Sequence, residues 1–194
     1  MYSPPRIEER APGRFIGMYM EMSLMEDQTG QLWRKFMPRR HEILHRANTA
    51  VVSLQVYPKG YFLEFDPSRV FVKWSLAEVG NVSGDEWNVS TEKGENEERG
   101  DDYWNVSTEK GEKEERGGLV PEGMEVFEMQ GGLYAVFAHR GSDPAIFDHI
   151  YGEWLTASDF ELDDRPHFEV LDVQYRHSDP DAAEEIWIPV RVKF

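Results

Sequence analysis

The chain has 194 residues, 40% hydrophobic and 13% aromatic, enough to bury a core within one globular domain. Its net charge of −16 and pI near 4.7 argue against a nucleic-acid-binding or anionic-membrane surface, because contacting phosphates needs clustered Lys and Arg. Cysteine is absent, which removes disulfide and thiol chemistry. No apolar run approaches the ~18 residues of a membrane span. The start, Met1-Tyr2-Ser3-Pro4-Pro5-Arg6, lacks the apolar stretch of a signal peptide. A cytoplasmic protein is the expectation, so the sequons at Asn81, Asn88 and Asn105 carry little weight.

In chain order, Ile16, Met18, Met20, Met22 and Leu24 alternate with Gly17, Tyr19, Glu21 and Ser23, a strand pattern. Thr29 offers an N-cap for a helix carrying Leu32, Trp33, Phe36 and Met37. Pro38 kinks it or starts a second helical piece running to about Arg46. Strands are predicted at about 50–57 and 69–79.

Residues 87–100 and 104–117 repeat one 14-residue unit with a period of 17, differing only at Asn96 against Lys113. The segment 84–117 has twelve acidic and five basic residues, a net of −7. It has few apolar residues to offset its ordering entropy, so it is expected to be a disordered acidic insertion. Beyond it, a hairpin over 124–139 is predicted to turn at Gly131-Gly132. Asp143 and Pro144 then open a helix with Ile146, Ile150, Tyr151, Trp154 and Leu155 as its apolar stripe. Strands follow at about 167–172 and 185–192.

Each half, about 14–80 and 119–192, thus reads strand, helix, strand, strand. Two such units predict an α+β fold: an antiparallel sheet with two helices on one face and a ligand cleft between the halves. In the last strands Phe168 and Val170 point one way and Glu169 the other. Ile186, Ile188 and Val190 point one way and Trp187 the other. On this basis Glu169 and Trp187 are expected to leave the sheet together, opposite the aliphatic core. A carboxylate in an aromatic wall suits an amphipathic or cationic small molecule. Gln55 to Trp74 spans 19 residues and Glu169 to Trp187 spans 18, so Trp74 is the expected internal counterpart of Trp187.

These motifs together resemble the GyrI-like (gyrase-inhibitor-like) small-molecule-binding domain, the effector module of many AraC-type and MerR-type regulators. The resemblance is carried by Gly131-Gly132-Leu133-Tyr134-Ala135-Val136-Phe137, Tyr151-Gly152-Glu153-Trp154-Leu155, Arg165-Pro166-His167-Phe168-Glu169-Val170 and Glu185-Ile186-Trp187-Ile188-Pro189. In the first half it is carried by Met22-Ser23-Leu24, Leu32-Trp33 and Phe36-Met37-Pro38-Arg39-Arg40. It implies a duplicated strand-helix-strand-strand fold and a cleft where Glu169 is the acid and Trp187 the aromatic. Trp74, Tyr151 and Phe147 complete the candidate ligand-binding set. The chain shows no helix-turn-helix pattern, so it reads as a stand-alone domain over 1–194, and the 84–117 insertion lies outside the family pattern.

His41-Glu42-Ile43-Leu44-His45 matches the H-E-x-x-H spacing of zinc proteases. Its phase puts both imidazoles off the apolar face, Arg39, Arg40 and Arg46 crowd it, and no third ligand is apparent. No metal and no cofactor are expected. His139, His149, His167 and His177 lack ligand spacing. The leading function is therefore a sensor or sequestering protein for a cationic aromatic compound. The alternatives are a hydrolase of reactive electrophiles with Glu169 as general base, and a module that binds a protein partner such as a regulator or gyrase.

Overall fold

Computed from the sequence, the structural model describes residues 2–64, 66–80, 119–141, 143–172 and 182–193. The acidic repeat 84–117 lies outside the described residues, as does His177. The alternating run of the first half becomes β2 (Gly13–Met22), preceded by a short strand, β1 (Arg6–Arg10). Helix α1 (Thr29–Phe36) leads to β3 (Val51–Val56) and β4 (Phe71–Val79). The second half contributes β5 (Glu125–Met129) and β6 (Gly132–Arg140), then a continuous helix, α2. That helix is α-helical over Ala145–Asp148, π-helical over His149–Trp154 and α-helical again over Leu155–Ala157. β7 (Phe160–Leu162), β8 (His167–Leu171) and β9 (Ala183–Val192) complete it.

All described pairings are antiparallel, in the order β1-β6-β9-β8-β3-β4-β2-β5, with β7 added alongside β9. The order is symmetric about the β3–β8 seam. Leu54 faces Trp74 across β3 and β4, and Phe168 faces Trp187 across β8 and β9. Both tryptophans are buried in the same core.

The hairpin expected over 124–139 is not formed. β5 pairs with β2 and β6 pairs with β1, so the two-residue links 11–12 and 130–131 carry the chain between opposite ends of the sheet. A Cβ at Gly131 would lie 2.6 Å from the Arg10 carbonyl oxygen. Glycine is required here by another backbone passing close by, not by a hairpin turn. Gly17 answers a similar demand, since a Cβ there would meet the Ser75 carbonyl oxygen on β4.

The two faces of the sheet bury different things. Phe15, Val52, Leu54, Val72, Trp74, Leu76, Tyr134, Val136, Phe168 and Trp187 form one core on the inner face. On the outer face α1 buries Leu32 and Phe36, with Phe36 packed among Ile16, Val51, Ala77 and Leu171. α2 buries Ile146 and Ile150 against Phe137, Ile186, Ile188 and Val190. Each fully buried large side chain contributes about 1.5–3 kcal/mol by transfer from water. The helical piece expected to reach Arg46 is only a 3₁₀ turn, Arg40–Glu42, because the backbone is already extended at Ile43. His45 beyond it has φ +59°, which no continuing helix allows.

Candidate functional site

Between the two helix-bearing cores, the outer face of the central strands is polar. Ser53, Gln55, Lys73, Ser75 and His167 are all buried there. Register puts them on one face with Glu169: Ser53 stands between Ser75 and Glu169, and Gln55 between Lys73 and His167. Directly opposite residues of an antiparallel pair share a face, and so do residues two apart. Gln55 Nε2 donates to Glu169 Oε1 at 3.2 Å, and Lys73 Nζ lies 3.9 Å from Glu169 Oε2. Glu169 keeps 19% of its side chain exposed against 7% for Lys73, so the carboxylate is the end of the pair nearer to solvent.

Aromatic rings wall this floor. The segment after β3 brings Tyr57 to 5.1 Å from His167 and Phe62 to 5.2 Å, the latter stacked. Phe62 also stacks on Tyr151 of α2 at 5.7 Å, and Tyr151 on Phe147 at 6.4 Å. Tyr61 and Phe71 extend the cluster through Tyr57. The Tyr151 hydroxyl and His167 Nδ1 share a hydrogen bond of 2.9 Å. Phe62 and Leu63 are exposed at the rim.

Burial sets the protonation states. It pushes the Lys73 ammonium below the ordinary lysine range, opposed by the nearby Glu169, Asp27 and Glu184 carboxylates. It lowers His167 to about 3, so that ring is neutral at physiological pH. It raises both Tyr57 and Tyr151, with Glu169 adding to the rise, so both phenols keep their protons. Further along the same face, His139 Nδ1 and Glu184 Oε1 are 2.8 Å apart.

Glu169, Tyr151 and Phe147 therefore lie on one side of the sheet, Tyr151 within reach of the Glu169 charge and Phe147 stacked on Tyr151. Trp187 and Trp74 do not lie there. Phe168 is the residue opposite Trp187, and the two rings stack at 5.2 Å on the inner face. Trp74 is fully buried on that same face, against Tyr19 and Phe127. The alternation within each strand reads correctly; the phase between strands does not, because a one-residue change of register moves every side chain to the other face. The aliphatic rows taken as a single core belong to two cores on opposite faces.

Lys73, Gln55, Tyr57, Phe62 and His167 were missed as site residues. A signal for part of the set exists in Val51-Val52-Ser53-Leu54-Gln55-Val56 and Phe71-Val72-Lys73-Trp74-Ser75-Leu76. Strands apolar on one face and polar at every other position, yet central in the sheet, mark a buried polar strip. The aromatic wall gives no such signal, since Tyr57 and Phe62 lie in an irregular segment.

Elsewhere, His41 lies on the 3₁₀ turn and His45 outside it, while Glu42 is held by Arg39 at 2.9 and 2.7 Å. Among the described residues no group of three His, Cys, Asp or Glu is placed to hold a metal ion. Two open depressions lie away from Glu169. One of about 290 Å³ is lined by Met18, Leu32 and Glu125, and one of about 470 Å³ by Arg10, Pro12 and Gly131. No described helix is long and apolar enough to cross a membrane.

Comparison with known proteins bears on the fold and the family. The family model of the GyrI-like small molecule binding domain matches residues 3–191. The transcriptional regulator BrlR of Pseudomonas aeruginosa is 28% identical over 191 residues. That match covers 95% of this chain but 54% of the regulator, so the chain spans about half the length of that relative. A protein solved with tetraphenylphosphonium bound, SAV2435, superposes with a TM-score of 0.55 at 11% identity, covering 97% of this chain and 94% of that one. A hydrolase from Listeria innocua superposes with a TM-score of 0.52 at 10% identity, covering 98% and 94%.

Proposed function

The chain belongs to the GyrI-like small-molecule-binding domain family, and from that premise we propose that its outer-face cleft takes an amphipathic aromatic cation. Glu169 supplies the counter-charge, Tyr57, Phe62, Tyr151 and Phe147 the stacking faces, and the protein acts as a sensor or a sequestering protein. The observation that carries this reading is a mostly covered carboxylate, 19% exposed, whose charge is felt by Tyr57 and Tyr151 of an aromatic cluster, where a desolvated cation gains both charge pairing and ring contacts. A fold neighbour bound to tetraphenylphosphonium supports the ligand class. We propose further that 1–194 forms one such domain, with 84–117 as an excursion from it.

Titration calorimetry with tetraphenylphosphonium tests the reading. Glu169→Gln keeps the side chain's shape and removes its charge, so cation affinity should fall by roughly 1.5–3 kcal/mol while a neutral aryl compound of similar size loses much less. Equal losses for both ligands would assign Glu169 a structural role instead.

One observation favours a second reading, hydrolysis of a reactive electrophile in the same cleft. Tyr57 and Tyr151 both feel the Glu169 charge, so phenol donors accompany a carboxylate base. Retained binding with abolished turnover of an electrophilic substrate in Glu169→Gln would select the enzyme.

A further inference from the structure

The place that a ligand cation needs beside Glu169 already has a cation next to it. Lys73 stands on the central strand β4, its side chain 7% exposed, with Nζ 3.9 Å from Glu169 Oε2. Its stem is enclosed by the sheet and cannot carry the ammonium out to water as a surface lysine would. Resting on the cation-binding reading above, we infer that Lys73 is an internal competitor for the cation site and so a specificity-determining residue: a cation that pairs with Glu169 displaces the Lys73 ammonium, whose proton passes to solvent.

The local charge balance favours this. Of the carboxylates that act on Lys73, Glu169 has the largest effect, and the two form an ion pair before binding. Adding a ligand cation beside Glu169 would set two positive charges against that carboxylate in a poorly solvated site, where their repulsion is strong. Loss of one proton restores neutrality, leaving the ligand cation, the Glu169 carboxylate and a neutral amine. Lys73 is the group placed to give that proton, because burial already disfavours its charged form.

The other groups around it do not take over the role. Met20 on β2 and Gln55 on β3, the residues opposite Lys73, do not titrate. His167 on β8 is already neutral, and Tyr57 and Tyr151 hold their protons tightly. Asp27 and Glu184 stabilise the ammonium, but Glu184 lies 2.8 Å from His139. The site therefore discriminates by charge in an unusual sense. Cations bind better as pH rises, and neutral ligands of the same shape bind without proton exchange.

The test is calorimetry of tetraphenylphosphonium with the full chain from pH 6 to 9, in two buffers of different ionisation enthalpy. The wild type should release close to one proton per ligand, and its Kd should fall by up to about tenfold per pH unit. Lys73→Met should lose both effects and bind more tightly at pH 6. Lys73→Arg, whose guanidinium keeps its proton, should bind weakly at every pH and release none. Binding by the wild type without proton release overturns the inference and leaves the cation-binding reading standing. Absence of binding by both wild type and Lys73→Met at every pH overturns that reading and the inference with it. If Lys73→Met does not fold, the proton count of the wild type decides alone.

Discussion

The two halves flanking the β3–β8 seam share a strand order but not a chemistry. On the inner face both present apolar pairs, Val52 facing Leu76 in one half and Phe168 facing Trp187 in the other, all buried in the same core. On the outer face they diverge. Ser53 of β3 stands opposite Glu169 of β8. Gln55 of β3 stands between Lys73 of β4 and His167 across the seam, whereas Leu171 faces Glu184 in the second half. The inner face must fill space without polar atoms, so both halves accept the same kind of residue. The outer face is relieved of that demand where neither helix covers it, and there the two halves contribute different polar groups, Lys73 from one and Glu169 and His167 from the other, beside a group of aromatics.

The inner-face equivalence can be broken directly. Leu76 and Trp187 are both buried, so Leu76→Ala should cost about 2–5 kcal/mol and Trp187→Ala about 3–5 kcal/mol in denaturant unfolding. A loss under 1 kcal/mol for Trp187→Ala would return that ring to the list of ligand contacts.

The outer-face asymmetry has a pH signature. His167 has a folded-state value of about 3 against 6.5 in the unfolded chain. Below pH 6.5 the unfolded chain therefore binds a proton that the folded chain refuses. Stability is full above that pH and falls as pH drops towards 3, by up to about 1.4 kcal/mol per pH unit from this group. In His167→Gln, which can still bond the Tyr151 hydroxyl, stability between pH 4 and 6 should fall less steeply. Identical slopes in the two proteins would mean that His167 titrates in the folded state.

A smaller effect separates wall from core. Phe62 is 45% exposed, so Phe62→Ala should leave stability nearly unchanged while weakening tetraphenylphosphonium by about 0.5–1.5 kcal/mol, the size of a ring contact. A stability loss matching that of Trp187→Ala would make Phe62 part of the core. The smallest change is expected from replacing 84–117 with a short turn. The segment has few apolar residues to lend to either half, so unfolding should stay cooperative. Loss of cooperativity would make the acidic repeat a structural element.

The sequence by itself carried the elements and their internal phase. Ile16 to Met22 and Phe168 to Val170 alternate with the period of the strands they form, and Ile146 and Ile150 mark the buried face of a helix whose middle turns out π-helical, because burial of one face selects the pattern locally. Strand alternation and the family motifs singled out Glu169 as the candidate acid. Which strands pair, and which faces coincide, was decided only in three dimensions. Period-two alternation is blind to register, so Trp187 and Glu169 could be placed on one face although they lie on opposite ones. Gly131-Gly132 looked like a turn because close approach of a distant backbone and a tight hairpin call for the same residue. Lys73 met Glu169 across β3 because two antiparallel pairings brought the strands together, a long-range contact that no local pattern encodes.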